Sequence, residues 1–195
     1  MTMKLHRSIS LDRPLIVVAL EREAQHLHSS DIPVLVTGVG KVCAASALAA
    51  VLARQRPSRI INMGTSGALR EGLSGTQVVG RVLQHDFDDA GIYALTGEHF
   101  GAPIDLQRAG PVLGSGDVFI DGGPAREALM AKGIDLVDME GYAVARVAQD
   151  FGLDIMLVKQ ISDSACESAG RSWSENLDHC AEQLGLWLGA EFSAS

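Results

Sequence analysis

Short apolar runs alternate with amphipathic or small-residue stretches along the whole chain. "LIVVAL" (15–20) is continuous and β-branched, the pattern of a strand buried on both faces. The acids of "EREAQHLH" after it suit the first turn of a helix, where the dipole favours negative charge. "IPVLVTG" (32–38) predicts a second strand and "GKVCAASALAAVLAR" (40–54) a long small-residue helix. "SRIINMG" (58–64) predicts a third strand, ending in the glycine-rich turn "GTSGAL". "GTQVVGRVLQ" (75–84) reads as a strand broken at Gly80. From His85 to Gly110 the chain is polar and weakly periodic, which predicts irregular loop with a short hairpin at "GIYALTGE". "PVLGSGDVFI" (111–120) reads as a strand interrupted by two glycines. "GGPAREALMAKG" follows as a helix, with Pro124 at its start and Gly133 as its stop. "IDLVDM" and "DIMLVKQIS" are strands on either side of the helix "EGYAVARVAQDFG". In the tail, "SWSE" (172–175) has capping-box spacing, and Trp173, Leu177, Cys180, Leu184, Trp187 and Leu188 form the stripe of an amphipathic helix.

Strands alternating with helices predict an α/β domain with a mostly parallel sheet. The 195 residues suffice for one domain, with a core from about 15 to 190, and show no repeat or linker. A formal charge of −8 and a pI near 5.1 exclude a sequence-independent grip on nucleic acid, and no basic run marks a membrane surface. The three cysteines Cys43, Cys166 and Cys180 form neither a CxxC pair nor a disulfide framework, which points to a reducing compartment and away from structural zinc. The N-terminal residues lack a signal-like apolar core, and no apolar run is long enough to span a bilayer. A cytoplasmic protein is expected.

In open α/β sheets, ligands gather at the carboxyl ends of the strands. Three acids fall just past predicted strand ends: Glu23, Glu140 and Asp163. Any one of them suits a helix cap; three on one sheet edge suggest a site. "LVDMEGYAVARVA" (136–148) sharpens the question, since Asp138 and Glu140 stand between an apolar approach and a helix. Carboxylates at a buried strand end need partners or lose their charge.

Other motifs carry less. "TGVGKVCA" (37–44) fails the dinucleotide pattern at Cys43 and reads as a tight turn with close helix packing. "MGTSGAL" offers backbone N–H groups and two hydroxyls for an anion or a sugar, but no P-loop lysine follows. "HDFDD" (85–89) has no second cluster of matching spacing, so no metal is expected. The serines show no nucleophile elbow, and nothing near Cys166 activates its thiol.

Seven segments in order resemble the nucleoside phosphorylase superfamily, and within it the 5′-methylthioadenosine/S-adenosylhomocysteine nucleosidases. They are "ALEREA" (19–24), "TGVGKVCAA" (37–45), "INMGTSGAL" (61–69), "QVVGRVLQHDFD" (77–88), "GSGDVFI" (114–120), "DMEGYAVA" (138–145) and "QISDSA" (160–165). The resemblance implies a single-domain, three-layer α/β fold, a mixed and mostly parallel sheet flanked by helices, in a homodimer. It implies that Glu23 activates water and that Asp163 protonates the purine ring. It further implies that Glu140 holds the ribose hydroxyls, with Met139 lining the sugar and Asp138 serving only as a helix-start charge. Phe119 then stacks on the base, Ile120 contacts it through its backbone, and Thr65 and Ser162 complete the substrate-binding set.

The implied activity is purine nucleoside N-ribohydrolysis without metal or organic cofactor. The chemistry fits: breaking the N-glycosidic bond leaves a cationic sugar and an anionic base, so an acid at the purine and a base at water are both required. A partly buried Asp163 suits the acid, because burial favours a protonated carboxyl. The alternatives are a phosphate-dependent phosphorylase and a non-catalytic nucleoside-binding relative; acids flanking Arg22 argue against phosphate. Two departures from the family stand out. Lys159 replaces an arginine that helps orient the water, keeping the charge without the planar fork. The segment between "HDFD" and "GSGDVFI", which in the family helps form the 5′ end of the pocket, is short.

Overall fold

Ten strands form one mixed sheet in the computed structural model, which describes residues 3–27, 31–166 and 169–193. In chain order the elements are β1 (Lys4–His6), β2 (Leu15–Val18), β3 (Val34–Val36), α1 (Lys41–Leu52), β4 (Ile60–Ala68), β5 (Thr76–Val78) and β6 (Arg81–Gln84). There follow α2 (Asp89–Thr96), β7 (Ile104–Asp105), β8 (Val112–Ser115), α3 (Gly123–Ala131), β9 (Leu136–Asp138), α4 (Gly141–Asp150), β10 (Ile155–Asp163) and α5 (Ala169–Ser193). The expected α/β class and helix-flanked mixed sheet are present.

β4 organises the sheet. Along one edge it pairs in parallel with β10, from Ile60↔Ile155 to Ser66↔Ile161, with a register shift before Asp163↔Gly67. Along its other edge it pairs with two different strands. β2 runs parallel to it only from Leu15↔Ile60 to Val17↔Asn62. β9 comes from the opposite direction and joins only at Gly67↔Val137 and Ala68↔Leu136. Residues 63–66 therefore have no strand partner on that edge among the described residues. Two parallel sets, β2–β3 and β6–β8–β9, point their carboxyl ends at each other across this break.

The continuous apolar runs are explained by burial on both faces. Leu15 and Val17 pack with Leu48, Val51, Val144 and Ala148 under α1 and α4. Their neighbours Ile16 and Val18 pack with Ile61, Met63, Leu184 and Leu188 under α5. Helix, sheet and helix make the three layers. Among the described residues no helix is long and apolar enough to cross a membrane.

Several local expectations are corrected. "EREAQHLH" forms successive turns through Leu27 rather than a helix, since Glu23 is drawn inward by its backbone donors. "GTSGA" continues β4 instead of turning, because β10 pairs alongside it. "PVLGSGDVFI" (111–120) yields only the short β8, after which the loop turns toward α3. The segment expected to be loop and hairpin contains α2, capped by Asp88 accepting from the Gly91 amide and closed by left-handed Gly97. α5 starts at Ala169, three residues before the capping box expected at Ser172. Packing of Ala169 and the Trp173 contact described below place that start. The break at Gly80 is as expected, with β5 and β6 on either side.

Gly80 has a steric reason to lack a side chain: a Cβ there would lie 2.8 Å from the carbonyl oxygens of both Arg108 and Gly110. These are backbone atoms that cannot rotate away. Gly80→Ala is expected to lower stability by about 1–3 kcal/mol, the usual cost of overpacking, measured by urea denaturation. An unchanged midpoint would show that the 106–111 segment does not close over Gly80.

Candidate active site

A cavity of about 160 Å³ sits at the break in the sheet. The turns after β2 bring Ala19, Leu20 and Glu23 to it, β4 brings Thr65, Ser66 and Gly67, and the β9 end brings Val137 to Glu140. Phe119 and Ile120 enter from the loop after β8, Ser162 and Asp163 from β10, and Trp173 from α5. Every predicted site residue except Lys159 lines this one cavity.

Glu23 is buried and fully engaged. Its Oε2 accepts from the amides of Ala19 (3.1 Å) and Leu20 (3.0 Å). Its Oε1 accepts from the Thr65 amide at 3.0 Å and the Thr65 hydroxyl at 3.3 Å. The Thr65 amide belongs to the unpaired stretch of β4, so the carboxylate substitutes for the missing strand. Three backbone N–H groups and a hydroxyl thus form an anion cradle that the chain fills with its own charge.

Beneath this lies a buried ion pair. Lys159 is 1% exposed; its Nζ stands 2.8 Å from Asp138 Oδ2 and donates to Asn62 Oδ1 at 2.7 Å. Gly64 leaves room for it, since a Cβ there would meet Lys159 Nζ at 3.7 Å and Glu23 Oε1 at 3.2 Å. Lys159 therefore lies under the floor of the cavity rather than in its lining. Asp138 is more than a helix-start charge. Its Oδ2 does accept from the Gly141 amide at the start of α4, at 2.8 Å, but it is also the counter-ion of Lys159. Ser115 Oγ donates to its other oxygen.

Glu140 reaches the amino end of α1, where the Gly40 amide donates to its Oε1 at 2.8 Å. Burial and the nearby Asp138 charge push its carboxyl up to about 8, against the lowering effects of the Gly40 amide and Lys159. The adjacent Lys41 amide donates to Asp117 Oδ1 at 2.8 Å. Gly40 is held at φ +96°, and a Cβ would lie 3.1 Å from Asp117. The "HDFDD" acids are spent on structure: Asp86 pairs with Lys41, Asp88 caps α2, and Asp89 pairs with His99.

On the far side of the cavity, Asp163 accepts from Ser162 Oγ (2.7 Å) and the Ala165 amide (2.8 Å). Phe119 is about half exposed at the rim and Ile120 is buried beside it. Trp173 is a cavity residue that sequence reasoning missed. Its place on the apolar stripe of α5 looks like core packing, yet its indole N–H donates to Thr65 Oγ1 at 3.0 Å. Only the contact between helix and sheet separates it from Trp187, which packs on the core.

The family model described as "Phosphorylase superfamily" matches residues 13–109 and 96–186, which is most of the chain. A 5′-methylthioadenosine/S-adenosylhomocysteine nucleosidase of Marinomonas sp. (strain MWYL1) is 30% identical over 182 residues, covering 81% of this chain and 79% of the relative. The crystal structure of the Helicobacter pylori nucleosidase of the same name, complexed with a substituted pyrrolidin-3-ol, superposes with a TM-score of 0.83 at 21% identity, covering 95% of this chain and 99% of that one. A futalosine hydrolase of Helicobacter pylori strain 26695 superposes equally well, at TM-score 0.83 and 21% identity over 95% of this chain and 99% of that one. These two likenesses establish the fold.

Two predictions follow from the charges. Lys159→Met strands a buried carboxylate and is expected to cost about 3–5 kcal/mol in urea denaturation, with Asp138→Asn restoring much of it. A loss below 1 kcal/mol would show that Asp138 is solvated. Between pH 4.5, the ordinary value for Glu140, and about 8, the folded chain holds a proton there that the unfolded chain has lost. The stability that this proton contributes is complete below the lower value and is lost as pH rises through the higher one. Glu140→Gln should therefore flatten the decline in stability across this window; an unaltered slope would assign the proton elsewhere.

Proposed function

The chain belongs to the phosphorylase superfamily, and within it we propose that it is a purine nucleoside N-ribohydrolase. It cleaves an adenine nucleoside, such as 5′-methylthioadenosine or S-adenosylhomocysteine, with water as nucleophile. The relatives named for those two substrates support the choice. One observation carries the choice of water over phosphate: the amide cradle at the sheet break is already filled by Glu23. Phosphate would meet a buried negative charge there and would compete for the same donors. Arg22, the nearest basic residue in sequence, is turned outward onto Asp178 at 2.9 Å.

In this mechanism the C1′–N9 bond breaks and its electron pair passes to the purine. Asp163 acts as the general acid and gives a proton to N7, so the base leaves neutral. An aspartate there, which can donate a proton, suits a 6-aminopurine. The sugar becomes cationic, and Glu140 stabilises it while accepting hydrogen bonds from the ribose hydroxyls. Those donors favour the charged form of Glu140. Water adds to C1′ and its proton passes to Glu23. Four donors hold Glu23, and the Thr65 hydroxyl makes the longest contact at 3.3 Å, which leaves Oε1 the more open of the two oxygens to the water. Phe119 stacks on the base, with Ile120 and Ser162 beside it, and Met139 lines the sugar.

A homodimer in the cytoplasm is part of the same reading. The rim residues Val39, Val118 and Phe119 are 45%, 60% and 46% exposed, an apolar edge suited to cover by a second copy. The three free thiols suit a reducing compartment.

Adenine release should occur without phosphate when adenosine, methylthioadenosine and S-adenosylhomocysteine are supplied. Strict phosphate dependence would assign the protein to the phosphorylases. Asp163→Asn and Glu23→Gln should each lower kcat by about 10²–10⁴-fold, with far-UV circular dichroism unchanged. Wild-type turnover in either variant would remove that residue from the mechanism.

A further inference from the structure

The indole of Trp173 joins the C-terminal helix to the base through one side chain. Trp Nε1–H can only donate, so Thr65 Oγ1, 3.0 Å away, must accept. A threonine hydroxyl has a single proton. With one lone pair held by the indole, that proton is left to point at Glu23 Oε1, 3.3 Å distant. The chain of donation thus has one polarity, Trp173 to Thr65 to Glu23.

The same helix grips the site at further points. Asn176, one turn on from Trp173, donates through Nδ2 to the Ser162 carbonyl at 2.9 Å, beside Asp163. Asp178 holds Arg22, next to Glu23, and Gly185 lies close against His26. The first turns of α5 therefore register the strand end carrying Asp163 against the turn carrying Glu23. Trp173 alone among these contacts lines the cavity and reaches the base through a hydroxyl.

We propose that Trp173 is a positioning residue for hydrolysis, fixing the Thr65 hydroxyl so that it orients the Glu23 carboxylate toward the attacking water. The inference rests on Glu23 being the base. Removing the indole N–H while keeping an aromatic ring leaves the hydroxyl free to rotate. The sugar and purine contacts remain, so the loss falls on the chemical step.

The test is steady-state adenine release by Trp173→Phe, Thr65→Val, their double variant and Thr65→Ser. Trp173→Phe is expected to lower kcat about five- to tenfold with KM within about twofold, the effect of one lost hydrogen bond acting on the transition state. Thr65→Val should lose at least as much, Thr65→Ser should retain activity, and the double variant should be no worse than Thr65→Val. A wild-type kcat in Trp173→Phe, a loss confined to KM, or additive losses in the double variant would overturn the proposal. Should Trp173→Phe fail to fold, emission decides: in a Trp187→Phe background Trp173 is the sole tryptophan, and Thr65→Val should shift its emission to the blue. An unshifted spectrum would show that the indole does not donate to Thr65. Glu23→Gln separates the two readings. If it turns over normally, the base assignment itself fails; if it is inactive while Trp173→Phe is normal, only the role of Trp173 fails.

Discussion

The site depends on an unfinished edge of β4. A strand edge buried inside a protein must satisfy its backbone groups, and along this edge residues 63–66 have no neighbouring strand among the described residues. Two parallel half-sheets arrive from opposite directions and stop short, which opens the cavity and exposes backbone donors to it. Glu23 answers the Thr65 amide and, at its other oxygen, the amides of Ala19 and Leu20. Fold and proposed chemistry thus share one constraint, because the carboxylate that completes the backbone is also the one proposed to receive a proton from water.

Charge balance follows from that geometry. Glu23, Asp138 and Glu140 converge on the break, with Lys159 the buried cation beneath them. Lys159 is paired with Asp138 and bonded to Asn62, so it only partly offsets burial and the Asp138 charge at Glu140, whose carboxyl rises to about 8. Burial and the neighbouring charge together favour the neutral form at Glu140, while Glu23 and Asp138 are held by their own donors. In the proposed reaction a sugar offers the hydroxyl donors that would favour the charged form of Glu140, which would couple ligand binding to ionisation. Lys159 supports the floor of the site and does not line it.

α5 contributes more than a third layer. Its lower half packs Leu184 and Leu188 into the core, while its first turns contact Thr65 and the Ser162 carbonyl. The helix thereby ties the elements that carry the two proposed catalytic carboxylates. Its early start at Ala169 is what brings Trp173 within reach of β4.

Strand and helix alternation, burial on both faces of "LIVVAL", the break at Gly80 and the acids past strand ends were legible in the sequence, because each depends on local periodicity or on residue type. Glu23, Glu140 and Asp163 were marked by the cost of placing charge beside apolar strands. The tertiary structure alone decided how each charge was resolved. Glu23 needed an amide of β4 as well as those of its own turn, Asp138 needed a lysine 21 positions later, and Trp173 needed a hydroxyl 108 positions earlier. The extension of β4 through three polar or glycine residues, and the turns replacing a helix after β2, were likewise set by pairing across the sheet. Local pattern says which residues are buried; only the packed fold says which buried polar atom meets which, since those partners are remote in sequence.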